Sequence, residues 1–148
     1  MTPADQQIAF IGAGNVATHM AKALRNAGMK IKAVYSHTLA SAQTLAAEVE
    51  ADAIDDIADL PEANIFVYCV KDDVLPEIAA INSLRFPNAL HIHTSGSTPA
   101  NVFLNQWHGV IYPMQTFSKN AALNFSEVRC YIEGSNRQSL KMIDNLTR

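Results

Sequence analysis

The sequence predicts an α/β protein with a doubly wound, mostly parallel sheet in three layers, α/β/α. Three observations carry this. Short apolar runs alternate with helical patterns through the first two-thirds of the chain, as a parallel sheet with crossover helices requires. The first apolar run, Ile8 to Ile11, meets the glycines Gly12 and Gly14 and passes at once into a helical pattern. The stretch Ile65 to Val70 is apolar throughout, as in a central strand covered on both faces.

Taken in order, the first helix places Val16, Met20, Ala23, Leu24 and Ala27 at three- and four-residue spacing, and Gly28 stops it. Ile31 to Tyr35 reads as the second strand, and Leu39 to Glu50 as a helix with Leu45 and Val49 inward. Ala51 to Ile54 is a short strand, and Asp55 to Pro61 a small helical turn ended by proline. After Ile65 to Val70, a helix runs from about Val74 to Ile81, with Asp72 or Asp73 suited to cap it. Ala89 to His93 is the next strand. Thr94 to Pro99 is a polar loop, with Pro99 opening a short helix to about Leu104. Gly109 to Tyr112 and Val128 to Ile132 are further strands. Arg137 to Leu146 reads as a helix with Leu140, Ile143 and Leu146 on one face.

Bulk properties exclude several function classes. A length of 148 residues suits one domain with a real core, and 49% hydrophobic against 17% charged residues is the balance of a soluble protein. A net charge of −3 without a basic cluster gives no footprint for nucleic acid. No apolar run approaches the roughly 20 residues needed to span a bilayer, and no signal peptide is visible. Cys69 and Cys130 lie in separate apolar stretches and read as reduced, buried residues of a cytoplasmic protein.

The chemistry belongs just beyond the carboxyl ends of the strands, where open α/β sheets bind ligands. Gly12 allows a tight turn, and Gly14 leaves room for a pyrophosphate to approach the backbone. The first-turn N–H groups of the helix then face the phosphates. The third glycine of the G-x-G-x-x-G pattern is Ala17, a small residue that still permits close helix–strand packing. The competing reading is a glycine turn that binds nothing. After the second strand, Ser36-His37-Thr38 stands where an NAD-specific protein tends to carry an acidic residue. No carboxylate there would repel a 2′-phosphate, which favours NADP over NAD. Ser36 or Thr38 also suits a plain helix cap. Val70 and Lys71 can flank the nicotinamide-side ribose.

His91 and His93 share one face of a strand. They lack a third ligand nearby, so no metal site is assigned. His93, at the strand's end, suits proton transfer. No nucleophile elbow frames Ser95 or Ser97, so their hydroxyls fit substrate or nicotinamide binding better. Tyr112 and Gln115 are polar groups aimed at a substrate crevice, or else an aromatic corner and its partner.

Together, G-A-G-N-V-A, S-H-T, V-K-D-D, H-T-S-G-S and Y-P-M-Q-T-F-S-K resemble Rossmann-like NADP oxidoreductases. The chain is similar to the pyrroline-5-carboxylate reductase-like and deazaflavin-dependent NADP reductase-like proteins over Ile8 to about Gly134. The resemblance implies cofactor contacts at Gly12, Ala13, Gly14, Asn15, Val16, Ser36, His37, Thr38, Val70, Lys71 and Thr94. It implies a nicotinamide or substrate edge at Thr94, Ser95, Tyr112 and Gln115; in the expected reaction Ser95 and His93 orient substrate or relay a proton. It also implies a homodimer held mainly by a C-terminal helical domain. Residues 1–148 are expected to be the single nucleotide-binding domain without that part. The expected function is hydride transfer between nicotinamide and a small substrate. The alternative is a dinucleotide-binding regulatory or redox-sensing module without turnover.

Overall fold

A computed structural model of the chain describes residues 6–113 and 130–146. The strands are β1 (Gln7–Ile11), β2 (Lys30–Tyr35), β3 (Asp52–Ile54), β4 (Ile65–Tyr68), β5 (Leu90–His93), β6 (His108–Pro113) and β7 (Cys130–Gly134). The helices are α1 (Asn15–Asn26), α2 (Leu39–Val49), α3 (Leu75–Arg85) and α4 (Arg137–Leu146). Among the described residues the strands form one seven-stranded sheet in the order β3-β2-β1-β4-β5-β6-β7. All pairs are parallel except β6–β7. This is the doubly wound order, with the reversal between β1 and β4.

Period-two alternation divides the core. Ile8 and Phe10 of β1, with Ile65 and Val67 of β4, meet Ala17, Met20 and Leu24 of α1, Leu45 and Val49 of α2, and Ile143 of α4. Ala9 and Ile11, with Phe66 and Tyr68, face the other way, onto Leu75 and Ala79 of α3 and onto Phe103. Helices thus cover both faces, which is why the central strands are apolar at every position. Among the described residues no helix is long and apolar enough to cross a membrane.

Several expectations are corrected. β4 ends at Tyr68, two residues before Val70, and α3 runs on to Arg85. α3 has Val74 at its N-cap without a side-chain cap. Neither Asp72 nor Asp73 occupies that position, and the Asp72 carboxylate is bonded instead by Ser97 of the loop after β5. The helix expected after Pro99 is a single 3-10 turn, Ala100–Val102. Ala27 is exposed at the end of α1. In α4, Ser139 and Ile143 are buried while Leu140 is exposed, so the inner stripe is rotated from the expected one. Cys69 and Cys130 are each half-buried. The first lies in the turn beyond β4 and the second on the edge strand. The proposed start of the last strand, Val128 and Arg129, lies outside the described residues.

Candidate active site

Parallel pairing brings the carboxyl ends of β1, β2, β4, β5 and β6 to one edge of the sheet. The turn after β1 is fixed from both sides. The Gly12 N–H donates to the Tyr35 carbonyl at 2.8 Å, and the Cys69 N–H donates to the Ile11 carbonyl at 2.7 Å. Gly12 has φ of +112°, and a Cβ there would collide with the Cys69 carbonyl oxygen. Only glycine fits.

Gly14 is different. A Cβ there would meet nothing within 4 Å. Gly14 is the N-cap of α1, makes no side-chain cap, and no acidic residue follows in the first turn. The first-turn N–H groups have no acceptor within the helix, so the amino end of α1 is suited to receive an anion. Ala13 is buried, Asn15 is exposed, and Val16 is half-buried beside it. Ala17 is fully buried against the sheet, as the third position of the glycine pattern requires.

After β2, Ser36 is buried and its Oγ accepts the Thr38 N–H at 3.2 Å. Ser36 thus steadies the start of α2. Thr38 holds the N-cap position without a side-chain cap. His37 and Thr38 are exposed. After β4, Val70 is half-buried and Lys71 exposed. Thr94 donates both its N–H and its hydroxyl to the Tyr68 carbonyl, each at 3.2 Å.

The loop after β5 is tied internally. The Ser95 Oγ accepts the N–H groups of Ser97 and Thr98 at 3.2 and 3.1 Å, and donates to Thr98 Oγ1 at 3.0 Å. Ser97 donates to the Asp72 carboxylate at 2.7 Å, which joins this loop to the one after β4. The Ser97 hydroxyl, then that of Ser95, holds the Asp72 carboxyl below the usual aspartate range. The Tyr112 ring lies against Gly96, where a Cβ would sit 2.7 Å from it.

His93 does not reach the cleft. It is fully buried, its Nδ1 accepts the Ser95 N–H at 3.1 Å, and its Nε2 donates to the Pro99 carbonyl at 3.2 Å. Both nitrogens are engaged, and burial lowers its pKa. The ring therefore holds the loop at both ends, and no nitrogen is left to relay a proton. Its contact with Ser95 runs through the main chain, so the two form no nucleophile–base pair. His91 shares its face and is likewise occupied. Its Nε2 donates to the Phe86 carbonyl at 2.8 Å and its Nδ1 accepts the Tyr68 hydroxyl at 2.7 Å. Among the described residues no group of three His, Cys, Asp or Glu is placed to hold a metal. Gln115 lies outside the described residues.

Two adjoining cavities open at this edge. One, of about 440 Å³, is lined by Ser95 to Pro99, Val110, Tyr112, Tyr131 and Glu133. The other, of about 370 Å³, adds Asp72 and Thr94. A cavity of about 490 Å³ lies at the opposite end, lined by Asn64, Arg85, Trp107 and their neighbours. It is slightly larger, but ligand chemistry in such sheets sits at the carboxyl ends of the strands. Sequence reasoning missed Tyr131, Glu133 and the Asp72–Ser97 bridge. The alternation of Tyr131 and Glu133 marked them as one face, but nothing in sequence showed which strand they border.

A family model described as "NADP oxidoreductase coenzyme F420-dependent" matches residues 7–90. Among solved structures, a Bacteroides fragilis protein described as a presumptive NADP oxidoreductase is 38% identical. It superposes with a TM-score of 0.91 over 99% of this chain and 58% of that one. A Thermotoga maritima protein is 20% identical, with a TM-score of 0.77 over 95% of this chain and 53% of the other. Prephenate dehydrogenase from A. aeolicus, solved with hydroxyphenyl propionate and NAD+, is 15% identical, with a TM-score of 0.82 over 96% and 56%. The last two likenesses concern the fold alone. The chain spans 53% to 58% of the length of these three structures. No curated protein matches it by sequence.

Proposed function

Because the chain belongs to the coenzyme F420-dependent NADP oxidoreductase family, we propose that its carboxyl-edge cleft binds NADP and passes hydride between nicotinamide and a small substrate. The observation that carries this reading is the turn after β1. Gly12 is locked by its φ and by the Cys69 carbonyl, while the space beside Gly14 at the end of α1 is open. The turn at Gly12 admits no side chain, and the open space beside Gly14 leaves room for a pyrophosphate.

Gly12, Ala13, Gly14, Asn15 and Val16 line the pyrophosphate cradle. The hydroxyls of Ser36 and Thr38 and the His37 ring take the 2′-phosphate, with no carboxylate among these three residues to oppose it. Val70, Lys71 and Thr94 flank the nicotinamide side. The bound cofactor supplies or accepts the hydride. Ser95 and Tyr112, and by resemblance Gln115, face the substrate. His93 is a positioning residue, since its two hydrogen bonds set where the Ser95 main chain and Pro99 lie.

Calorimetric titration with NADP and NAD tests the assignment. NADP is expected to bind at least about tenfold more tightly, and Ser36→Asp to reverse the order by placing a carboxylate against the 2′-phosphate. Equal or tighter binding of NAD by the unaltered chain would refute the NADP assignment. Absence of binding by either dinucleotide would refute the whole reading. Oxidation of NADPH with small carbonyl and imine compounds, followed at its absorbance band, then tests turnover.

A further inference from the structure

We propose that the aromatic and acidic wall where β6 meets β7 holds an organic cation, and that the substrate of this cleft carries an ammonium group. The second clause rests on the hydride-transfer reading; the first does not.

The antiparallel register sets Tyr112 beside Tyr131 and Val110 beside Glu133. Alternation turns these four residues to one face, and all four line the 440 Å³ cavity. The tyrosines keep 39% and 54% of their surface exposed, so their rings are available to a ligand. The face of an aromatic ring attracts a cation, most strongly once the cation is partly desolvated. Glu133 adds a full negative charge on the same wall. The adjoining cavity adds a second at Asp72, whose bond from Ser97 favours the ionised form.

Among the described residues lining the two cavities, Asp72 and Glu133 carry the only charges, and both are negative. A carboxylate or phosphate group placed in these two cavities, away from the turn after β1, would meet repulsion from Glu133 in one and Asp72 in the other. An ammonium ion in the 440 Å³ cavity meets the Glu133 carboxylate, the rings of Tyr112 and Tyr131 and hydroxyl oxygens that accept its N–H groups, with the Asp72 carboxylate in the adjoining cavity. Two carboxylates alone would only mark an acidic patch. The placing of Glu133 in a cavity walled by the paired tyrosines makes the chemistry selective for an organic cation over a bare metal ion.

The test uses the 148-residue chain, with and without saturating NADP. The probes are butylammonium, 1-butanol and butyrate, followed by the ring resonances of Tyr112 and Tyr131. Butylammonium is expected to shift both rings and to bind at least about tenfold more tightly than either analogue. Glu133→Gln should weaken it about fivefold and Tyr131→Leu by a similar factor; both sites are exposed, and a thermal melt checks that the fold is kept. Binding of butyrate or 1-butanol as tight as that of butylammonium would overturn the cation site, as would an unchanged affinity in Glu133→Gln. If butylammonium binds while neither dinucleotide does, the cation site stands and the hydride-transfer reading falls.

Discussion

Acidification from pH 7.5 to 5.0 should cost this domain about 2 kcal/mol through His91 alone. The ring is fully buried between Phe66, Tyr68 and Phe103. Its neutral form is fixed, because Nε2 donates to the Phe86 carbonyl and Nδ1 accepts from Tyr68. A proton on Nδ1 would force the Tyr68 hydroxyl to give up its donation there and turn to accept. Burial, the dominant cause, pushes its pKa down to about 4. Unfolded, the same side chain titrates near 6.5. Below that value the unfolded chain binds the proton and the folded one does not, so stability falls with pH. The penalty is absent above about pH 7, reaches about 2 kcal/mol at pH 5 and levels off at about 3 kcal/mol below about pH 3. A domain of this size has only about 5–15 kcal/mol in total. Urea unfolding at several pH values measures the loss. His91→Gln lowers stability at every pH, but it should remove about 2 kcal/mol of the difference between pH 7.5 and 5. An undiminished difference in that variant, or a His91 NMR titration midpoint above 6, would refute the reasoning.

Three further outcomes follow from the cleft. Gly12→Ala should cost about 2–4 kcal/mol in denaturant unfolding, from the positive φ and the collision with Cys69, and should weaken NADP binding at least tenfold. Ser97→Ala should raise the Asp72 carboxyl toward the ordinary aspartate range, read by carbon-13 NMR titration; an unmoved midpoint would show that Ser97 does not hold it. Gly96→Ala should swing the Tyr112 ring out of the cleft, seen as a changed ring environment by NMR, at a stability cost of about 1 kcal/mol.

Much of the site was legible because its reasons are local. Gly12, Gly14 and Ala17 are spaced by what a strand-to-helix turn can accommodate, and the structure gives each the conformation or room that spacing implied. His91 and His93 were legible only as a pair on one face. Which hydrogen bonds engage them depends on Tyr68, Phe86 and Pro99, whose nearness comes from parallel pairing and loop return. Asp72 shows the same limit. Its position in the chain suits a helix cap, but a serine 25 residues away claims its carboxylate.

By itself the sequence determined the alternation of strand and helix, the two-faced burial of the central strands and the glycine turn after β1. Each depends on side-chain periodicity or on backbone sterics within a few residues. Only the tertiary structure decided that β7 runs antiparallel and sets Tyr131 and Glu133 beside Tyr112, and that His93 braces a loop. Those are facts of register and burial. They arise when distant segments compete for the same hydrogen bonds and the same shelter from water, and local pattern carries no record of that competition.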